Sequence, residues 1–484
     1  MEKNFTQHSL AYNPALDGLR GVAVALVFIT HLNMAFSGGR FGVDIFFVLS
    51  GYLITEVLRN SRESKNFLWV FYFKRFLRLF PALAVLCIVV AMICGVSGGH
   101  SNIYKDVLSS ILYSQSWTSG FKDGFSLYLG HTWSLSVEEQ FYLLFPFVWI
   151  FATRTDIKST FFIFLLLLAL AIAYAIYMAK LPLGYDRIYF AADTRFQAIL
   201  IGAVGSIASR TPIVRQVLER FITSIPLLPM VAIGWICSFL GWSIYSSLMV
   251  SAFSLMVILR LTMKSGTIDA KLLSFPPLVN LGKISYGFYL WHAPILVLLQ
   301  NYFGFSFWYV AIIGLVVSLL ASVASYVLVE RPALKLRTIV SPEKQAKFGF
   351  YAVPVSVLSI SLGLVYFQFS DINNFVRGTK LAVTAYGPKV YQVGDRGSLQ
   401  PDGSLVMWMS LNSRPDMKSK STISGLNSIT MSGKDGITIV VPQSVLETPG
   451  KHTIQVFTSD NELELPTMEF EVVASPQENM GAGT

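Results

Sequence analysis

The sequence predicts a polytopic α-helical membrane protein of about eleven transmembrane helices, followed by a C-terminal all-β, immunoglobulin-like domain. Three observations predict it. The 484-residue chain is 53% hydrophobic and only 13% charged, and it holds several apolar runs near the ~20 residues that cross a bilayer. Its Lys and Arg gather in alternate loops. From about Asp371 the long apolar runs give way to short segments that alternate apolar and polar side chains.

The first apolar run carries Arg20 and His31 and no small-residue cleavage pattern, so it reads as a retained helix, not a signal peptide. Spans follow near residues 18–36, 42–58, 80–96, 135–153, 160–179, 196–209, 224–241, 243–262, 285–303 and 307–329. These ten make a transmembrane domain over 1–340. An additional helix at 348–369 occupies 341–370. The run at 196–209 is short and reads as a partial or tilted span. With the N-terminus inside, 22 Lys and Arg face the inner side of the helical region and six the outer side, as the positive-inside rule requires. An odd number of spans then puts the C-terminus outside.

Residues 371–475 contain "SLVMWMSL", "GITIVV", "HTIQVF" and "MEFEVV", separated by Gly, Pro, Asn and Asp, the pattern of a β-sandwich. Residues 476–484 read as a disordered tail. The segment from Asp371 carries a formal charge of −3, leaving +12 on the helical part. The basic excess is therefore a topology signal, and no nucleic acid is called for. Cys87, Cys94 and Cys237 lie in apolar runs without metal-type spacing, so neither a disulfide framework nor a metal site is expected.

Ionisable side chains at membrane depth are expensive and normally face a cavity. His31 lies roughly 20 Å from the inner end of the first span. Asp44 enters the second span within one turn of its outer end, His131, Trp133 and Glu138 open the fourth, and Asp193 and Arg195 open the sixth. They share one depth. Glu139 is one residue off in helical phase and reads as a solvated neighbour. On the inner face, Arg20 is joined by Lys74, Arg75 and Arg78 of "FYFKRFLRLFP"; Arg75 and Arg78, three apart, share a helix face. Bland readings stand beside these: Arg75 and Arg78 also fit topology anchors, and Asp193 with Arg195 also fits a structural ion pair. An imidazole near a carboxylate can take a proton from a hydroxyl and make it nucleophilic, which suits acyl transfer to an alcohol.

Six stretches in order, "PALDGLRGVAVALVFITHL", "FGVDIFFVLSGYLIT", "KRFLRLFP", "HTWSLSVEEQFYLLFP", "TRFQAILIGA" and "ISYGFYLWHAPI", resemble the acyltransferase-3 family of integral membrane O-acyltransferases, which modify bacterial surface glycans. The resemblance spans about residues 14–335. It implies a ten-helix core in the bacterial cytoplasmic (inner) membrane, an acyl-CoA donor (acetyl-CoA by family association) on the inner side, and a glycan acceptor reached from the periplasmic side. The family's Arg and His fall on Arg20 and His31, its basic motif before the third span on Arg75 and Arg78, and its Trp-Ser-x-x-x-Glu stretch on Trp133, Ser134 and Glu138. One departure is Gln197, which follows "TRF" where relatives often carry an acidic residue. The chain has no Gly-Asp-Ser, so the hydrolase-like C-terminal domain of some relatives is not expected.

The resulting expectation has Arg20, Arg75 and Arg78 holding the donor. His31, with Glu138 or Asp44, acts as general base or transient acyl carrier. Trp133, Ser134, Asp193, Arg195, Tyr286 and His292 contact substrate. Membrane lipid surrounds the helices, and the β domain engages the glycan or an extracytoplasmic partner protein. The rival class is a transporter or flippase for a lipid-linked sugar or acyl donor, in which buried charges relay protons. No inverted repeat supports it.

Overall fold

The computed structural model describes residues 12–32, 40–61, 66–96, 103–120, 128–181, 184–224, 243–264, 266–303, 306–353, 356–357, 383–393, 399, 404–411, 420–432, 436–457 and 467–474. The chain divides into two compact units, Met1–Phe369 and Ser370–Thr484.

In the first unit Pro14 opens α1 (Pro14–Leu32), where its missing N–H is no loss, and Asp17 in the first turn complements the helix dipole. Next come α2 (Phe41–Ser61), α3 (Phe67–Val96), the short α4 (Ile103–Ile111) and α5 (Gln115–Gly120), and α6 (Trp133–Ala152). Asp156 caps α7 (Ile157–Lys180). Its carboxylate accepts from the Ser159 hydroxyl at 2.8 Å and from the Ser159 and Lys158 amides at 3.1 and 2.8 Å, which holds it below the usual carboxylate range. After α8 (Gly184–Phe190), α9 (Phe196–Ala208) turns by 104° into α10 (Pro212–Ser224). A capping box formed by Ser243 and Ser246 starts α11 (Ile244–Met263). The short α12 (Ile268–Leu273) and α13 (Pro276–Lys283) precede α14 (Ser285–Val297), which runs into a π turn, Leu298–Tyr302. Finally α15 (Phe307–Ser325) passes through a second π turn, Tyr326–Glu330, into α16 (Arg331–Ile339).

Among the described residues seven helices are long and apolar enough to cross a membrane, or eight if the bent α9–α10 pair counts as one span. Large apolar side chains stand exposed along α7, among them Phe162, Leu166 and Leu170, as a lipid-facing helix requires. This is a multi-pass membrane protein. The expected span at 224–241 falls outside the described residues, as does most of 348–369. The third span differs from expectation: α3 begins at Phe67, so the basic motif lies inside a 30-residue helix and not ahead of it. Nothing between Phe67 and Phe80 breaks a helix, and the charges merely lower the hydropathy there.

Within this unit α2 packs closely on α9, and α1 on α13. At the α2–α9 crossing a Cβ on Gly51 would stand 1.8 Å from the Ile199 carbonyl oxygen, and one on Gly202 2.0 Å from that of Val48. Backbone therefore meets backbone, the small-residue packing that joins helices where no hydrophobic effect acts between them. This crossing fixes the face that α2 turns toward α3 and α6.

The second unit has strands β1 (Val383–Gly387), β2 (Val390–Gln392), β3 (Leu405–Leu411), β4 (Lys420–Ile423), β5 (Leu426–Ser432), β6 (Gly436–Val441), β7 (Gly450–Phe457) and β8 (Met468–Val473). Their hydrogen-bonded order is β1-β3-β6-β5-β4-β7-β8-β2, antiparallel except for β2 on β8. Period-two alternation sends Leu405, Met407, Met409, Ile437 and Ile439 from one half, and Ile454, Val456, Met468 and Phe470 from the other, into one core.

Candidate active site

A cavity of about 430 Å³ lies against α2, whose lining residues Val43, Phe46, Phe47, Ser50, Ile54, Val57 and Ser61 recur at helical spacing. From Val43 to Ser61 this stripe rises roughly 27 Å, close to the thickness of a hydrocarbon core. Five basic side chains line the cavity: Arg20 from α1, Lys74, Arg75 and Arg78 from α3, and Arg337 from α16. Among the lining residues the only carboxylate is Glu138, which accepts a hydrogen bond from the Ser50 hydroxyl.

Arg20 pairs with Asp17 at 2.7 Å. The Arg75 guanidinium lies 3.7 Å from the Tyr142 ring centroid. The Nε atoms of Arg75 and Arg337 are buried without a hydrogen-bond partner among the described residues. Buried donors are nearly always satisfied; here an anion in the cavity would complete them. Glu139 is half-buried, and its Oε1 is enclosed, so it is not the solvated neighbour that its phase suggested.

Arg20 and His31 are eleven residues apart, about three turns, so they share a face of α1 with His31 roughly 16 Å further along. His31 Nδ1 lies 2.9 Å from the Val27 carbonyl oxygen and 3.3 Å from His292 Nε2. His292 Nδ1 in turn lies 2.7 Å from the Tyr289 carbonyl oxygen. A carbonyl can only accept, so both Nδ1 atoms carry the proton. His292 Nε2 is then an acceptor facing His31, and His31 Nε2 keeps its lone pair. His131, almost fully buried, stacks edge-on to His292 with centroids 5.6 Å apart.

Tyr289 separates the two regions. It lines the cavity, while its ring packs 5.6 Å from His292 and 5.5 Å from His131. Its hydroxyl donates to the His131 carbonyl and accepts from Ser134. Tyr286, one turn earlier, also lines the cavity and donates to the Leu79 carbonyl.

The remaining candidates sit elsewhere. Asp44 Oδ1 accepts from Arg195 at 2.8 Å and from Ser247 at 2.6 Å, with both charged side chains fully buried. Arg195 is surrounded by the rings of Phe47, Tyr189 and Trp133 at 5.4–5.8 Å, which accounts for Trp133. Asp193 does not pair with Arg195, as the sequence suggested, but takes two hydrogen bonds from Arg187, at 2.8 and 2.6 Å. The shared depth thus resolves into three groups: Glu138 with Ser134 and the basic residues at the cavity, His31 with His292 and His131, and two ion pairs. Arg337, Ser50 and Tyr289 are cavity residues that the sequence did not single out, whereas Lys74 belongs to the inner-face basic cluster. Lys74 adjoins Arg75 in its motif, and Ser50 and Tyr289 lie inside quoted motifs; Arg337 lies beyond them.

The acyltransferase domain family matches residues 13–327. The chain is also similar to the O-acetyltransferases OatA of Staphylococcus aureus strains NCTC 8325 / PS 47 and COL, at 32% identity over 394 residues, 75% of this chain and 65% of each relative. A putative O-acetyltransferase of strain MSSA476 is 32% identical over 359 residues, 69% of this chain and 59% of that protein. The chain therefore spans less than two thirds of these relatives' length. No solved structure matches it. Most of the helical unit falls within the matched region, and the motif side chains Arg20, Arg75, Arg78 and Glu138 meet at one cavity; the chain belongs to the acyltransferase-3 family.

Proposed function

We propose that the protein is an O-acetyltransferase that moves an acyl group from cytoplasmic acyl-CoA, acetyl-CoA in the first instance, to a hydroxyl of a surface polysaccharide or lipid-linked glycan. It does so across the bacterial cytoplasmic membrane, with the N-terminus inside and the β unit in the periplasm. One observation carries the reading: a single cavity joins five basic side chains to the wall of a histidine cluster. The O-acetyltransferase relatives supply the acyl group and the acceptor atom.

In this reading Arg75 and Arg78, with Arg20, hold the donor's phosphates, for which guanidinium forks are suited. The pantetheine arm lies along the apolar stripe of α2, and the thioester reaches His31 once the Tyr289 side chain leaves Ser134 and the His131 carbonyl. His31 Nε2 takes the proton of a sugar hydroxyl as its oxygen attacks the thioester carbonyl. The C–S bond then breaks, and the CoA thiolate recovers the proton from the imidazolium. Val27 and His292 keep Nδ1 protonated throughout, so that Nε2 stays the basic atom. Glu138 supports the cavity end of the route through Ser50; Asp44 is committed to Arg195.

The β unit fits an immunoglobulin-like module. Its halves β1-β3-β6-β5 and β4-β7-β8-β2 follow the A-B-E-D and C-F-G orders of that fold, with the second N-terminal strand added beside the last. We assign it to binding the acceptor or a partner protein. Purified protein given labelled acetyl-CoA and a glycan acceptor tests the whole reading: label on the glycan supports it, and sugar translocation without acyl transfer would favour the flippase.

A further inference from the structure

Among the described residues, Arg337 is the one basic side chain lining the cavity that lies outside every motif. It lies in α16, beyond residue 327 where the family match ends, yet it lines the same cavity as Arg20, Lys74, Arg75 and Arg78. The π turn before α16 inserts a residue into the helical repeat and so rotates everything after it by about 100°. Arg337 Nη2 donates to the Lys74 carbonyl at 2.6 Å, fixing the guanidinium against α3. Its Nε is buried without a hydrogen-bond partner among the described residues, and so is that of Arg75. One cavity thus holds two incompletely bonded guanidiniums, and its lining of five cations and one carboxylate carries a formal +4.

We propose that Arg337 is a donor-binding residue: held by the Lys74 carbonyl, it contacts a phosphate of acyl-CoA, so that the helix following the matched domain completes the donor site. The assignment rests on the acyl-CoA reading above. CoA carries about −4 near neutral pH, two charges from its diphosphate and nearly two from its phosphomonoester, which offsets the surplus of the lining. Pantetheine, the same arm without phosphates, offers nothing for a guanidinium to hold. A plainer role for Arg337 is a staple between α16 and α3, and the two roles differ in what a substitution changes.

The test measures CoA and pantetheine binding to the full-length protein in detergent, wild type against Arg337→Gln, with thermal unfolding of each unliganded protein. We expect CoA affinity to fall about tenfold or more, as for loss of a charged hydrogen bond, with pantetheine affinity and unfolding temperature unchanged. Unchanged CoA affinity, or equal loss for both ligands with a lowered unfolding temperature, overturns the assignment and leaves a staple. If Arg337→Gln does not accumulate, arginine-specific labelling of the wild type by phenylglyoxal decides: CoA but not pantetheine should protect Arg337, and equal labelling overturns the proposal. A wild-type protein that binds no CoA overturns the acyl-CoA reading and this assignment together, whereas normal CoA binding by Arg337→Gln removes the assignment alone.

Discussion

Asp44→Asn separates chemistry from architecture at a carboxylate whose depth suggested catalysis. In the folded protein Asp44 and Arg195 are both fully buried and 2.8 Å apart. Removing one partner of a buried pair leaves an uncompensated charge, typically at a cost of about 3–5 kcal/mol. Arg195 would keep the Ser247 hydroxyl at 3.0 Å and the three surrounding aromatic rings. Desolvated cation–π contacts are worth about 2 kcal/mol, so the loss should lie at the lower end, about 3 kcal/mol. Unfolding of the purified protein in detergent measures it, and the double substitution Asp44→Asn with Arg195→Met should recover most of the loss, since no charge is then stranded. An Asp44→Asn protein as stable as wild type but devoid of transfer would refute this reasoning and return Asp44 to the chemistry.

Two further outcomes follow from the site and the β unit. His292→Ala removes the acceptor that faces His31 Nδ1 and should lower turnover by about 10²-fold while leaving CoA affinity unchanged; His292→Gln, which keeps an acceptor, should restore part of the rate, and a matching loss of CoA affinity would contradict the role. Deleting residues after 370 should spare CoA binding and donor hydrolysis but reduce transfer to a polymeric acceptor, and full-rate acylation by the truncated protein would remove the acceptor role.

Composition and motif order made the membrane class, the β unit and several of the polar residues that line the cavity legible in the sequence. Arg20, Arg75, Arg78, Ser134, Glu138 and Tyr286 all line the cavity, because local motifs fix which face of a helix a side chain occupies. Partnership across helices was not legible. Asp44 and His31 share a depth, but direction depends on how α2 docks on α9, which rests on Gly51 and Gly202 meeting backbone. Nothing in the local sequence announces that Asp44 meets Arg195 and Ser247. Hydropathy also hid the start of α3, since Lys74, Arg75 and Arg78 suppress the apolar signal of a helix that continues through them. Arg337 escaped because a π turn, not a motif, sets its phase.

The most direct test of the account is acetyl transfer by His31→Ala. The substitution removes the imidazole whose Nε2 lone pair is left free by Val27 and His292, and it leaves the five cavity cations in place. Purified wild type and variant, matched for accumulation and CoA affinity, are given labelled acetyl-CoA and a glycan acceptor. CoA should bind the variant at wild-type strength with essentially no label on the glycan; substantial glycan acetylation by His31→Ala would remove His31 from the chemistry.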